Sequence, residues 1–371
     1  MSPAILGLAT AVPPHAVDQD AALELARSIC CRNERHDRVA SVLYRHSGIN
    51  TRHSVLPPSE AYRYANAGAQ RGVGAPNHGP TTAQRMAYYQ EHALPLAARA
   101  AGDALARSGV EGREIAHVVT ASCTGFTAPG VDSGLIERLG LRRTTQRIHV
   151  GFMGCHAAVN ALRTARALAL ADAHGHVLAC CVELCSLHYS FHWDNERMLG
   201  NALFADGAAA AVVSAMPRKN SGASPGADGQ SRWRIAATGS FLFPDTSEAM
   251  TWNIGDHGFA MTISSELPRL IAQGVAPWLT GWLKQNGLAP GDVNSWAIHP
   301  GGPRIVEAVE SAMAIPAAKT EVSREILAEF GNMSSATVLF ILQRLTERRA
   351  APPCVMLAFG PGLIAEAVLF R

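Results

Sequence analysis

Gly151–Leu170 reads GFMGCHAAVNALRTARALAL, and Gly331–Leu345 reads GNMSSATVLFILQRL. Both open on a glycine-containing approach and run into an apolar, helix-forming segment, with Cys155 in one and Asn332 in the other at the head of the helix. Working outward, the two stretches share their surroundings. Upstream of the first, Ile115–Ser122 (IAHVVTAS) reads as a buried strand that ends in the loop CTGFTAPG; upstream of the second, Asn294–His299 (NSWAIH) reads as a short strand that ends in HPGGP. Aligning Cys123 with His299 sets Gly125 on Gly301, and the helix heads then lie 32 and 33 residues further on. Downstream, His176–Glu183 and Cys354–Phe359 read as strands, and 28 residues separate Cys155 from Glu183 and Asn332 from Gly360. This is an internal duplication. It predicts an α/β protein of two pseudo-symmetric halves, residues 1–220 and 221–371, around one sheet-and-helix core.

The remaining elements fit that frame. Ala4–Ala9 reads as a first strand, and Leu94–Ser108 as an Ala- and Leu-rich helix with Gly109 as its C-cap. Two inserts rich in Gly, Pro and Ser, 71–81 and 217–231, read as mobile surface loops, the second close to the boundary between the halves.

At 371 residues the chain is long enough for about two domains of roughly 150 residues. A net charge of +2 excludes a chain-wide basic field for nucleic acid. Hydrophobic residues make up 48% and charged ones 17%, which predicts an extensive packed interior and a subunit interface, and excludes chain-wide disorder. No apolar run reaches the roughly 18–20 residues that span a bilayer. The N-terminal stretch lacks a basic n-region and is broken by Pro13–Pro14, so the expected location is cytoplasmic. There the eight cysteines should be reduced thiols, and the histidines show no zinc-ligand spacing.

Three polar residues stand where chemistry is possible. Cys155 precedes a helix, whose dipole favours thiolate and hence nucleophilicity, although a lone cysteine is ordinarily a small core residue. Cys180, Cys181 and Cys354, inside apolar strands, take that ordinary role. His299 ends a strand, where α/β proteins place reactive groups, and Asn332 suits a helix N-cap. The duplication changes their weight, because equivalent sites in pseudo-symmetric halves converge on one axis. A thiol, a base and a neutral amide donor are a set for acyl transfer. Other motifs fail: G-x-S-x-G is missing, and Gly360-x-Gly362-x-x-Ala365 leaves six residues, too few for a dinucleotide unit.

On LATAVPP, SCTGFTAPG, GFMGCHAAVNALR, NALFADGAAAAVV, WNIGDHGFAMTIS, IHPGGPRIVEAVE, EFGNMSSATVLFIL and AFGPGLIAEAVL, the chain resembles the type III polyketide synthases, the chalcone-synthase-like condensing enzymes. The resemblance implies a thiolase-like fold with layered αβαβα architecture and a homodimer. It implies acyl-CoA and malonyl-CoA as substrates, with no metal, nicotinamide or carrier domain. Cys155 would accept the acyl group, with His299 and Asn332 as partners, and decarboxylated malonyl units would extend the chain by Claisen condensation. Phe204 matches a gatekeeper aromatic, and Met261 stands where plant members carry a second gatekeeper Phe. Cys123, Cys185 and His188 fall at cavity positions that are threonines in plant members, Ser334 lies in the GNMSSA motif, and Ala128 replaces a Met that closes the neighbouring subunit's cavity. Arg45, Arg52 and Arg304 lie where CoA phosphates would be held.

These smaller or more flexible wall residues lead to the expectation of a medium- or long-chain fatty acyl starter and an alkylpyrone or alkylresorcinol product. A malonyl-primed, naphthalene-forming synthase and a single-condensation ketoacyl synthase are the alternatives.

Overall fold

A computed structural model of the chain describes residues 2–69, 78–172, 175–216 and 233–371. The insert at 217–231 and residues 71–77 of the other insert lie outside the described residues, as does the expected boundary at 220/221.

His176–Leu184 (HVLACCVEL) and Asp206–Ser214 (DGAAAAVVS) are buried along their whole length, the signature of strands covered on both faces. They are central in a five-stranded sheet. Ala4–Ala11 pairs antiparallel with Asp206–Ser214, which pairs antiparallel with His176–Leu184; Ile115–Ser122 and Gln146–Gly151 then follow in parallel. The second sheet repeats this order with one strand fewer. Ile235–Leu242, Ile364–Phe370 and Cys354–Gly360 are antiparallel neighbours, and Ser295–Ile298 adds in parallel. The expected duplication is thus a repeat of strand order and strand sense.

Two helices, Ala157–Ala171 and Thr337–Glu347, fill the space between the sheets. Val159, Leu162, Val338, Ile341 and Leu342 are fully buried there, against Val213, Met356 and Phe370 from the sheets. Each such aliphatic side chain contributes about 1.5–3 kcal/mol relative to exposure. Thr82–Ser108 covers the outer face of the first sheet; Leu267–Gln285 and Pro303–Met313 cover that of the second. Five alternating layers result, the architecture expected. The Thr82–Ser108 helix begins twelve residues before the expected start. Thr81 and Gln84 form a capping box, and Pro95 sits inside the helix without ending it; Gly109 is the left-handed C-cap expected.

Neither central helix starts where the sequence suggested. Each is preceded by a 3-10 turn, Gly154–His156 in one half and Ser334–Ala336 in the other. The turns set Cys155 opposite Ser335, three residues beyond Asn332, so the equivalence of Cys155 with Asn332 is corrected by one turn.

The strands fix where chemistry can gather. Ile115–Ser122, His176–Leu184 and Ser295–Ile298 lead directly into Cys123, Cys185 and His299, and Gln146–Gly151 leads to the Cys155 turn. All these residues leave the carboxyl ends of parallel strands, the edge on which open α/β sheets place their sites. The helices Gln19–Cys30, Glu34–Arg45 and Asn195–Leu203 share a small apolar cluster of their own. No helix among the described residues is long and apolar enough to cross a membrane.

Candidate active site

Cys155, His299 and Asn332 line one cavity of about 520 Å³, together with Phe204 and Met261. The first half supplies the thiol and the second supplies the imidazole and the amide, so the three meet at the junction of the halves. All are buried: Cys155 is 5% exposed, His299 1% and Asn332 2%.

The local geometry fixes the amide. Asn332 is zipped to the segment carrying Phe204 by two backbone bonds, its N–H to Leu203 O at 2.9 Å and Ala205 N–H to its carbonyl at 2.9 Å. Its Oδ1 accepts from Ser334 N–H at 2.8 Å, which leaves the Nδ2 donors for the cavity. Ser334 Oγ donates to Cys155 Sγ at 3.6 Å, and the Asn332 amide is close enough to favour the thiolate. Neither ring nitrogen of His299 has a hydrogen-bond partner among the described residues. A buried histidine left unbonded on both nitrogens is poised for a ligand that the cavity would bring.

Charge follows burial here. Burial pushes the Cys155 thiol up to about 12, against the lowering effect of Ser334 and Asn332, and the Glu183 carboxylate pushes the same way. Burial takes His299 down to about 3, with His156 nearby acting in the same sense. Burial thus works against the thiolate expected at the helix head. The helix proper begins two residues after Cys155, and desolvation outweighs its dipole.

Glu183, which the sequence marked only as the end of a strand, is the buried anchor of this region. It is 0% exposed and accepts from Ser335 Oγ at 2.5 Å, Thr124 Oγ1 at 2.8 Å and Cys123 N–H at 3.0 Å. Burial nevertheless raises its carboxyl above the usual range. Cys123 Sγ lies 3.3 Å from Ser334 Oγ, so Ser334 touches both thiols. A single acidic residue closing an otherwise apolar strand was the available signal, since a buried carboxylate requires donors.

The other expected residues divide into three groups. Phe204 and Met261 also line a second, smaller cavity of about 150 Å³ with Cys185 and His188, so they form the wall between the two spaces. His188 is tied down: its Nε2 donates to Thr124 O at 2.7 Å, its Nδ1 accepts from Phe259 N–H at 2.9 Å, and its ring stacks on Phe259 at 4.1 Å. Ala128 is exposed and lies on the lining of neither cavity. Arg304 is exposed on the lining of the larger cavity, and Arg45 is exposed at the end of the helix whose Val42 and Leu43 line it.

Arg52 is a correction. Its guanidinium is buried and donates to Asn201 O at 2.8 Å, Phe204 O at 3.1 Å, Ala202 O at 2.7 Å and Gln19 Oε1. Three of these are carbonyls at the end of the Asn195–Leu203 helix, a favourable place for a cation, and the four bonds take up both terminal nitrogens of the guanidinium, leaving only the buried Nε without a partner. The Gly360–Gly362 run has a structural use as well. It forms the tight turn between two antiparallel strands, with Gly362 at φ +83°. Among the described residues no group of three or more His, Cys, Asp or Glu side chains is placed to hold a metal.

Comparisons with known proteins identify the family. Residues 2–217 match the family model described as chalcone and stilbene synthases, N-terminal domain, and residues 234–371 match the corresponding C-terminal domain. The chain is 35% identical over 376 residues to the alpha-pyrone synthesis polyketide synthase-like Pks18 of Mycobacterium tuberculosis, covering 99% of this chain and 90% of that protein. It is 32% identical over 365 residues to the 1,3,6,8-tetrahydroxynaphthalene synthase of Streptomyces peucetius, covering 98% and 91%. Among solved structures, PKS-I from the brown alga Ectocarpus siliculosus superposes with a TM-score of 0.88 at 32% identity, over 100% of this chain and 98% of that one.

Proposed function

This chain belongs to the chalcone and stilbene synthase family and is a type III polyketide synthase, and we propose that it primes with a medium- or long-chain fatty acyl-CoA. The observation that carries the choice of starter is the Phe204–Met261 wall, with the reactive cavity on one side and a largely apolar space on the other. Each methylene buried there contributes about 0.8 kcal/mol, which favours long starters over acetyl or malonyl. The relative named for alpha-pyrone synthesis supports a pyrone as the ring formed.

The steps follow from the groups in place. As acyl-CoA fills the cavity, Cys155 passes its proton to His299 and attacks the thioester carbon; the acyl group moves to sulfur and CoA leaves with a proton. Malonyl-CoA then loses CO2. The enolate oxygen is held by an N–H of His299 and by Asn332 Nδ2, donors typically worth a few kcal/mol each. The enolate carbon attacks the Cys155 thioester and expels the thiolate, which leaves a β-ketoacyl-CoA two carbons longer. Reloading repeats the cycle, and ring closure gives an alkylpyrone or alkylresorcinol. The arginines proposed to meet CoA phosphates are Arg304 and Arg45. CoA thioesters are the only small-molecule partners in this reading.

We further propose a cytoplasmic homodimer whose halves divide near 220/221. Phe126, Ile148 and Met153 are 40–44% exposed near the outer strand Gln146–Gly151, an apolar surface suited to a second copy. There Ala128 would meet the partner rather than its own cavity. The deciding experiment incubates the pure protein with malonyl-CoA and acyl-CoAs of increasing length. Products that carry the fatty chain support the proposal; efficient turnover of malonyl-CoA alone would replace it with the naphthalene-type reading, and a single condensation with the ketoacyl synthase reading.

A further inference from the structure

His156 follows the nucleophile directly, is 2% exposed, and is absent from the lining of the Cys155 cavity. Its surroundings are unusually specific. His156 Nδ1 lies 2.7 Å from Asn160 Oδ1, one helical turn on, and Asn160 Nδ2 donates to Glu366 Oε1 at 3.2 Å. Because the Asn160 amide donates to the carboxylate, its oxygen accepts from the histidine, and His156 carries its proton on Nδ1. Glu366 is 4% exposed and also accepts from Ser240 Oγ at 2.9 Å and from Arg163, with which it forms an ion pair. Arg163 donates in turn to Gly239 O at 3.2 Å. The chain of bonds starts on the nucleophile turn of the first half and ends on two strands of the second, Ile235–Leu242 and Ile364–Phe370.

A second contact runs beside it. A Cβ at Gly360 would lie 2.3 Å from His156 Cδ2, and one at Gly154 would lie 2.5 Å from Pro361 Cδ. The turn holding Cys155 therefore packs directly on the Gly360–Pro361 turn of the other half, with no room for a side chain on either glycine. Cys155 comes from one half while His299 and Asn332 come from the other, so the spacing of the three depends on how these two turns are held together.

We infer that His156 is a positioning residue: through Asn160 and Glu366 it locks the nucleophile turn to the second sheet, at the separation from His299 and Asn332 that acyl transfer requires. The inference rests on the acyl-transfer reading of Cys155. A misplacement of about 1 Å is enough to cost a catalytic step up to about a hundredfold. The polar chain is also demanding, since a buried group that loses its partner is penalised for its desolvation.

The test compares His156→Leu, His156→Gln and Asn160→Ala with the wild type in kcat, in KM for malonyl-CoA and in the rate of Cys155 alkylation by iodoacetamide. Asn160 is half-buried and alanine preserves its helix, so this variant removes the amide link without adding bulk, and a thermal melt of each variant separates lost positioning from lost fold. His156→Leu and Asn160→Ala should lower kcat by about tenfold or more and slow alkylation, with KM within about twofold. His156→Gln, whose amide can still donate to Asn160 Oδ1, should recover most of the loss. Unchanged kcat in Asn160→Ala, a change confined to KM, or equal damage from glutamine and leucine would each overturn the inference. A wild-type protein that forms no acyl adduct at Cys155 would instead overturn the acyl-transfer reading itself.

Discussion

Replacing Asn332 by alanine should separate the two halves of the reaction. The amide is held on three sides: both backbone polar groups are bonded to the Leu203–Ala205 segment, and Oδ1 is occupied by Ser334 N–H at 2.8 Å. Nδ2 is therefore directed into the cavity without having to reorganise when an enolate forms, the condition under which an oxyanion donor is most effective. Losing one such donor costs about 2.7–4 kcal/mol, a fall of about 10²–10³ in the step that forms the oxyanion. Loading depends on Asn332 far less. Ser334 Oγ still reaches Cys155 Sγ at 3.6 Å and His299 is untouched, so transfer of the starter should fall by no more than about tenfold. Release of CO2 from carboxyl-labelled malonyl-CoA measures the first step, and covalent label from a radioactive acyl-CoA measures the second. Asn332→Asp, which offers acceptors in place of donors and adds charge near the enolate, should decarboxylate no better than alanine. Equal losses in both steps, or decarboxylation within tenfold of wild type, would refute the oxyanion role.

Cys155→Ala should lose both the acyl label and all product, because the other thiols lack its cavity setting; label retained on the variant would move the nucleophile elsewhere. Met261→Trp should thicken the wall between the two cavities and shorten the longest accepted starter; an unaltered chain-length profile would show that the acyl chain does not pass this wall. Acid should unfold the protein early. His299 is held near 3 in the folded state against about 6.5 when unfolded, so its contribution is present above pH 6.5 and is lost as pH falls toward 3, by up to about 1.4 kcal/mol per pH unit. His188, also held near 3, acts in the same direction, as do His36, His149, His156 and His192; Asp206, raised to about 6, and Glu183, also raised, oppose them as pH falls. Urea midpoints at pH 7.5 and 5.0 should differ clearly, and less so in His299→Gln; the same pH dependence in variant and wild type would mean that His299 is not held neutral.

Two turns of chain show what the sequence could carry and what it could not. The repeat in spacing was enough to predict two α/β halves, because the succession of strands and helices is written locally in where apolar runs and glycines fall along the chain. The same repeat misaligned Cys155 with Asn332, because a 3-10 turn before a helix leaves no hydrophobic period to read. In the folded protein the counterpart of Cys155 is Ser335, whose hydroxyl is bonded at 2.5 Å to the buried Glu183. One copy of the turn thus presents a free nucleophile to the cavity, and the other spends its polar atom on holding the sheet beneath it. Arg52 was illegible for a different reason. Its local sequence looks like any exposed basic stretch, and only the distant Asn195–Leu203 helix, about 150 residues away in sequence, supplies the carbonyls that bury it. The wall of Phe204 and Met261 is likewise a matter of shape, set by which strands the two residues leave and at what angle, so the residues were nameable in sequence while the two spaces they divide were not. The proposed catalytic set is therefore carried by motif, but the asymmetry that gives one half a thiol at the cavity and the other a hydroxyl spent on Glu183 comes from tertiary contacts between residues far apart in the chain.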